Sequence, residues 1–168
     1  VPTLGNADSL GIRPDLVVLG KALANGFPLA AVGGSREVMS GVAHTWISST
    51  LATEFVSLAA ARATLDVMVE RRVPGHLRRV GGRLLAGLSG LRHKYPALVE
   101  GVGGIAEMCF LQYANEAVSE AVTAACARAG LLFKRSAYNF VSLAHNESVI
   151  DRSLDLLDEA LSAVPKSA

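Results

Sequence analysis

The sequence predicts an α/β protein whose second part is a smaller α+β domain. Near the start, short apolar runs bounded by glycine and proline are typical of buried strands. Further on, an amphipathic helix and more strand-like runs form a βαββα-like unit. Pro74-Gly75 breaks the chain between the two patterns. We therefore expect one domain over residues 1–73 and a second over residues 74–168.

The composition limits the classes of function. Of the 168 residues, 51% are hydrophobic, which suits either a tightly packed core or apolar surface destined for an interface. A net charge of +1 gives no electrostatic case for nucleic-acid binding. No apolar run approaches the roughly 18 residues of a membrane-spanning helix. Cys109 and Cys126 lack CxxC spacing and fit free thiols in a reducing compartment, so we expect a cytoplasmic protein without a metal site.

The front part begins with two predicted strands. Asp15–Leu19 is a short apolar run and is expected to be a buried strand. Asn25-Gly26 marks a turn, and Leu29–Val32 follows as a second buried strand. Ser35 is expected to cap a short helix, and His44–Ile47 is a candidate third strand.

The predicted helix over residues 54–72 is apolar almost all round. Its four closely spaced alanines, Ala59, Ala60, Ala61 and Ala63, give it a smooth surface. Because helices of this kind are usually buried between other elements, we expect burial here.

The back part opens with an amphipathic helix whose apolar residues recur at spacings of three and four, namely Leu77, Val80, Leu84, Leu88, Leu91 and Tyr95. Leu98–Gln112 is expected to form two strands joined by a turn at the glycines of residues 101–104. A second helix is expected to end at Gly130, the residue type that most often follows a helix.

Two more strands and a final helix complete the predicted back part. The strands are expected at Leu131–Lys134 and Asn139–Leu143. The helix is expected to start at a capping-box-like segment, Ser148–Asp151. It would present Ile150, Leu154, Leu157, Leu161 and Val164 on one face.

Lys21 is the residue most suited to chemistry. It cannot belong to a phosphate-binding P-loop, because Asp15 stands where the first glycine is required and Ala22 follows the lysine. Directly after a buried strand, its amine would be partly desolvated, which lowers the pKa of a lysine and leaves a neutral nucleophile able to form a Schiff base. An ordinary solvated lysine is the alternative, and the residues alone leave the two interpretations open.

The segment around Lys21 resembles the lysine signature of the class III aminotransferases. The matching residues are Arg13–Leu23 and Asn25–Gly34. This family consists of fold-type I enzymes that depend on pyridoxal 5′-phosphate (PLP), and it includes glutamate-1-semialdehyde aminomutase. The resemblance implies the C-terminal part of such a fold, namely the end of the large α/β domain and a small α+β domain. It implies an aminotransferase or 2,1-aminomutase acting on an amino acid or amino aldehyde.

The same resemblance assigns a role to Lys21. The lysine would hold PLP as an internal aldimine. Once substrate displaces it, the freed amine would move the proton between the substrate α-carbon and cofactor C4′.

A second matching segment lies at Ser49-Thr50-Leu51, ahead of the Ala-rich helix. In the family, a threonine at this place binds the PLP phosphate of the neighbouring subunit. The resemblance therefore implies that Thr50 and Ser49 bind the cofactor in a homodimer, and a hydroxyl before a helix N-terminus suits phosphate. Thr50 as a plain loop or capping residue stays open. The sequence also departs from the family here, because residues 52–55 replace the usual glycine and proline.

The tail resembles the small domain of the aminomutase-like branch, through Val99–Gly104 and Asn139–His145. His145 lies where a strand meets a helix, so a structural hydrogen-bonding role is expected rather than a catalytic one. Arg135 is the candidate for binding a substrate carboxylate, against an ordinary solvated arginine.

Family members are considerably longer than this chain, so we expect a fragment or a subunit completed by a separate N-terminal chain. The parts not found include the aspartate that pairs with the pyridine nitrogen, and Asp8 is a poor substitute because it lies too close to the lysine strand. The alternative function is a non-catalytic remnant or an interaction module that keeps the Ala-rich surface.

Overall fold

The computed structural model describes residues 11–47, 50–51 and 54–164. The chain divides into two compact units, Val1–Arg72 and Val73–Ala168, and each is described by itself. The assignment of these units to a large and a small domain of a longer enzyme stays a prediction.

The first unit contains a two-stranded antiparallel sheet. Strand β1 spans Leu16–Leu19 and strand β2 spans Ala31–Gly34, so both predicted strands are present, the second displaced towards the glycines. Leu16 lies opposite Gly34. A side chain at Gly34 could not fit, because its Cβ would lie 2.2 Å from the Asp15 carbonyl oxygen. The predicted turn at residues 25–26 is confirmed, with both residues at positive φ.

Three helical segments follow the sheet. Helix α1 spans Arg36–Met39, and the Ser35 hydroxyl caps it by accepting a 3.3 Å hydrogen bond from the Val38 amide, as predicted. A 3-10 helix spans Ser40–His44. The prediction of a strand over residues 44–47 is wrong. The Thr45 amide donates a hydrogen bond to the Val42 carbonyl, so the bonding pattern of the 3-10 helix continues to Thr45. Helix α2 spans Phe55–Glu70, as predicted.

The predicted burial of this unit is wrong for the chain by itself. Val18 in β1 is 73% exposed, and every residue of β2 is exposed. Along α2, only Ser57 and Ala61 are buried. Two strands and one long helix cannot cover one another, so apolar side chains remain at the surface. This favours apolar surface destined for an interface over a tightly packed core as the source of the chain's high hydrophobic content.

Over residues 73–164, the second unit contains three helices and a three-stranded antiparallel sheet in the order β3–β4–β5. Helix α3 spans Val73–Lys94, strand β3 Val99–Ile105, strand β4 Met108–Tyr113, helix α4 Glu116–Arg128, strand β5 Asn139–Phe140 and helix α5 Glu147–Ser162. Pro74 therefore lies in the first turn of α3 rather than in a break. Proline is tolerated there because the first amides of a helix have no intrahelical acceptor.

The turn between β3 and β4 lies at residues 106–107, not at the predicted glycines. The glycines are inside β3 and make room for side chains of β4. A Cβ at Gly103 would lie 2.4 Å from the Phe110 ring, and a Cβ at Gly101 would lie 2.1 Å from the Gln112 side chain.

The end of α4 has the predicted glycine. Gly130 has a φ of 86°. Its amide donates to the Ala127 carbonyl and the Leu131 amide donates to the Cys126 carbonyl, which is the pair of bonds of a Schellman motif.

Three predictions near the C-terminus differ from the structure. Residues 131–134 form no strand, and the strand predicted at Asn139–Leu143 is shortened to two residues. Asn139 explains part of this, because its side-chain oxygen accepts a 2.7 Å hydrogen bond from the Lys134 amide and removes that donor from any ladder. The cap of α5 is Asn146 rather than Ser148, since its Oδ1 accepts from the Val149 amide at 2.9 Å.

The core of the second unit joins all three of its helices to the sheet. The predicted stripes of α3 and α5 face it, together with Cys109 and Cys126, both free thiols. Its fully or nearly fully buried members are Val80, Leu84, Leu88, Val99, Leu111, Val118, Val122, Ile150, Leu157 and Leu161. Burial raises the pKa of the Cys109 thiol to about 11, which keeps this thiol protonated and unreactive at neutral pH.

Helix α3 approaches the β3–β4 turn so closely that only glycine fits at position 81. A Cβ there would lie 1.9 Å from the Ala106 carbonyl oxygen. We expect Gly81→Ala to lower the free energy of unfolding by about 1–3 kcal/mol, because backbone must move to accept the methyl group. Urea denaturation followed by circular dichroism measures the change.

The neighbouring glycine supplies a matched control. A Cβ at Gly82 would have nothing within 4 Å. Gly82→Ala should therefore be neutral or stabilising by up to about 1 kcal/mol, from helix propensity alone. Equal destabilisation by both substitutions would contradict the close approach at Gly81.

Carboxylates of α5 pair with cations of α3 along one side of the second unit. Arg83 binds both oxygens of Asp151, and the Lys94 amine and Tyr95 hydroxyl both donate to Asp158. Arg83 lowers the pKa of Asp151, while Lys94, then Tyr95, lowers the pKa of Asp158. These pairs are exposed, so each stabilises the fold only slightly.

The depressed pKa of Asp158 fixes the pH window of its contribution. The stabilisation is present above the ordinary aspartate pKa of 3.8 and is lost as pH falls through the lower folded value. Asp158→Asn should reduce the thermal midpoint by about 1–4 °C at neutral pH, and the deficit should vanish in acid. Asp155→Asn removes the same charge from the same helix and serves as the control. A deficit for Asp158→Asn that persists unchanged down to the most acidic pH at which the protein remains folded would refute the ionic origin.

Candidate active site

Lys21 stands on a tight turn just after β1. It begins a 3-10 helix, Lys21–Leu23, closed by a hydrogen bond from the Leu23 amide to the Gly20 carbonyl at 3.0 Å. Its φ is 48°, in the left-handed region that a side chain with a Cβ avoids at a cost of about 1–3 kcal/mol. The fold therefore holds a lysine where glycine would be easier.

Helix α2 packs against this turn. The buried residues on the two elements are Ala24, Ser57 and Ala61, all small. Of the four alanines that led us to expect a buried helix, only Ala61 is buried.

The lysine side chain is exposed and lines a shallow depression. The other lining residues are Ala22, Asn25, Gly26, Phe27 and Pro28. We predicted that the Lys21 amine would be partly desolvated. The structure contradicts this, because Lys21 is exposed. Within the described part of the chain, Lys21 Nζ forms no hydrogen bond or ion pair, so it is accessible to an electrophile.

Thr50 and Ser49 are the predicted phosphate ligands. Ser49 lies outside the described residues. Thr50 is exposed and lies in a turn ahead of α2, and it is not among the residues lining the depression at Lys21.

Glu54 caps helix α2 in a way the sequence did not indicate. Its Oε1 accepts from the Val56 amide and its Oε2 accepts from the Ser57 amide, each at 2.7 Å. Hydrogen bonds from Ser57 and from the Val56 amide lower the pKa of this carboxyl below its ordinary value of 4.5. The sequence showed that residues 52–55 depart from the family. It did not show that Glu54 caps the helix, because glutamate is not a usual capping residue.

The two other predicted residues belong to the second unit. Arg135 Nη1 donates to Glu120 at 2.8 Å and lies 3.5 Å from a Glu116 oxygen, so its guanidinium is paired with carboxylates of α4. His145 has the expected hydrogen-bonding arrangement: its Nδ1 accepts from the Ser142 amide at 2.9 Å, and its carbonyl oxygen lies 2.9 Å from His76 Nε2.

Other kinds of site find no support in the described residues. Among residues 11–47, 50–51 and 54–164, no group of histidine, cysteine, aspartate and glutamate side chains could hold a metal ion. None of the helices described is long and apolar enough to cross a membrane.

Comparison with known proteins places this geometry in a family. Residues 5–164 match the model of the aminotransferase class-III family. The chain is 34% identical to glutamate-1-semialdehyde 2,1-aminomutase of Thermomicrobium roseum, covering 96% of this chain and 42% of that protein. It is 28% identical to the 5-aminovalerate aminotransferase DavT of Pseudomonas putida, covering 94% and 40%.

Solved structures agree. The PLP internal aldimine form of the Sphingopyxis sp. FumI protein is 29% identical and superimposes with a TM-score of 0.84, covering 95% of this chain and 39% of that one. An S-selective transaminase from Arthrobacter sp. shares the fold with a TM-score of 0.81, at 23% identity over 92% of this chain and 39% of that one. The chain thus spans about 40% of the length of these relatives. It belongs to the class III aminotransferase family.

Proposed function

We propose that this chain provides the cofactor-bearing lysine of a PLP-dependent enzyme that moves an amino group, as an aminotransferase or a 2,1-aminomutase. The substrate class is an amino acid or amino aldehyde. One observation carries the proposal: Lys21 sits in a left-handed conformation on a turn after β1, with an accessible amine that has no partner among the described residues. Such strain is most often retained where a side chain must be aimed at a reacting group.

The described residues fit covalent attachment of PLP. The Lys21 amine is exposed and has no partner among the described residues, and the depression beside it is lined by Asn25, Gly26 and Phe27 among others. When bound, PLP supplies a ring that stabilises negative charge on the substrate carbon. Lys21 Nζ would hold the cofactor covalently and, when freed by the substrate amine, would serve as the base that takes a proton from the substrate α-carbon and returns it.

Thr50 and Ser49 are the proposed phosphate ligands, and a partner subunit is the proposed owner of that phosphate. The Thr50 hydroxyl is exposed and free to turn towards an anion from outside the unit. The exposed apolar residues of β1 and α2 support a homodimer or a complementing N-terminal chain, because either would cover them. We place this assembly in the cytoplasm, in keeping with two buried free thiols.

Arg135 is the proposed contact for a substrate carboxylate. Its guanidinium already binds the carboxylates of Glu116 and Glu120, both exposed, so exchange for a substrate carboxylate breaks only solvent-screened pairs. The two structural units correspond, in this proposal, to the end of a large PLP-binding domain and to a small C-terminal domain.

Lys21 is tested by covalent trapping. With PLP present and the assembly complete, borohydride reduction should fix the cofactor on the peptide containing residue 21, as read by mass spectrometry. Lys21→Ala should reduce the trapped cofactor by about tenfold or more, because no other amine occupies that turn. Lys134→Ala, at an exposed lysine of the second unit, is the matched control and should leave the yield unchanged.

Two outcomes would count against the assignment. Trapping spread evenly over all lysines would show that Lys21 has no special position. Absence of any trapping at residue 21 in the complete assembly would favour the alternative, a non-catalytic interaction module.

Thr50 is tested by comparing PLP with pyridoxal, which has the same aldehyde and no phosphate. Thr50→Val should weaken PLP binding by about 3- to 10-fold, the effect of one lost hydrogen bond, and leave pyridoxal binding unchanged. Thr64→Val is the control, since that hydroxyl already donates to the Ala60 carbonyl at 2.8 Å. Equal weakening of both ligands by Thr50→Val would indicate a structural role only.

A further inference from the structure

The amides at the N-terminus of α2 are almost all in use. The first four amides of a helix lack intrahelical acceptors and form a natural anion site. Here the Glu54 amide donates to the Leu51 carbonyl at 3.2 Å. The Val56 and Ser57 amides both donate to the Glu54 carboxylate. Of the amides of residues 54–57, the Phe55 amide alone has no acceptor among the described residues.

We infer that Glu54 fills this helix end with its own carboxylate and thereby limits how strongly the end of α2 can hold an external phosphate. Where that phosphate is the cofactor's, the inference rests on the proposed function. It identifies Glu54 as a specificity-determining residue, one that sets how much the phosphate contributes to cofactor binding.

The charge of Glu54 acts in the same direction as its hydrogen bonds. A helix N-terminus carries about half a positive charge, which a carboxylate at the cap already offsets. The depressed pKa keeps this carboxyl ionised at neutral pH. The sequence contains no lysine or arginine between Arg36 and Arg62, so no nearby residue along the chain neutralises the cap. A phosphate approaching the helix end would meet a like charge and find one free amide.

The phosphate must therefore depend on other donors. Thr50 offers a neutral hydroxyl on the same segment, which adds one hydrogen bond without the positive end of a helix. We accordingly expect PLP and pyridoxal to differ less in affinity for this protein than they would with a neutral cap at position 54.

The experiment uses two neutral variants, Glu54→Gln and Glu54→Ser. Serine keeps a side-chain oxygen that can cap the helix, so Glu54→Ser separates loss of charge from loss of the cap. Glu70→Gln is the matched control, because it removes the same charge from the last turn of the same helix. Circular dichroism and thermal unfolding establish that each variant retains α2.

Inorganic phosphate is the first probe, read as the shift in thermal midpoint at constant ionic strength. We expect phosphate to bind both Glu54 variants about 3- to 10-fold more tightly than the wild-type chain or Glu70→Gln, the effect of one charge at a helix end. Phosphate binding that is unchanged or weaker in both Glu54 variants would overturn the inference. This probe does not involve Lys21.

The second probe is the affinity ratio of PLP to pyridoxal in the complete assembly, from absorbance titrations. Glu54→Gln should raise the preference for PLP by a similar factor and leave pyridoxal binding unchanged. A ratio that does not change overturns the role towards the cofactor. If Lys21-dependent trapping fails in every variant while inorganic phosphate still distinguishes them, the proposed function is refuted and the effect of Glu54 on anion binding stands.

Discussion

The packing of α2 against the lysine turn is the constraint on which the first unit depends. Ala24 on the turn and Ser57 and Ala61 on the helix are small, and they are buried while most of the unit is exposed. Small residues bring the helix close enough to support a turn whose lysine is held at positive φ. The N-terminus of the same helix is fixed by its own cap, because the Glu54 carboxylate accepts from the Val56 and Ser57 amides.

The second unit differs from the first because it has a hydrophobic core of its own. Its core takes apolar side chains from α3, α4, α5 and two strands. Glycines rather than large residues set the closest approaches, at Gly81 of α3 against the β3–β4 turn and at Gly103 beneath the Phe110 ring. Ion pairs between α3 and α5 lie outside this core and add little. Stability in this unit therefore comes from packing, whereas the first unit displays apolar surface that a partner could cover.

The contrast between the units agrees with the membership of a longer family. The chain spans about 40% of the length of its relatives, and its first unit exposes apolar side chains on β1 and α2. Desolvation of the lysine, which the strand pattern led us to expect, requires atoms that the described part of this unit does not provide.

Local pattern was enough to determine much of this protein. The strand before Lys21, the Asn25-Gly26 turn, helix α2, the amphipathic stripe of α3 and the Gly130 helix end all follow from periodicity or from residue types that one backbone geometry requires. The start of α3 does not, because the sequence predicted a break at Pro74-Gly75 and the helix begins at Val73. These features depend on a few neighbouring residues, and the signature segment around Lys21 identified the family. The apolar stripes of α3 and α5 correctly named the side chains that form the core.

Only the tertiary structure decided which backbone groups find partners and which surfaces are covered. Glu54 rather than a conventional cap closes the start of α2, and Asn146 rather than Ser148 closes the start of α5. The Asn139 side chain takes the Lys134 amide, which is one reason why residues 131–134 form no strand. The glycines of β3 lie inside the strand, where they make room for Phe110 and Gln112, and the β3–β4 turn follows them at residues 106–107. Each outcome is a competition between donors, acceptors or side chains that meet only after folding. A local sequence pattern shows which groups could form a hydrogen bond or a contact. It does not show which of them do so, because the choice among them is made only when the chain folds.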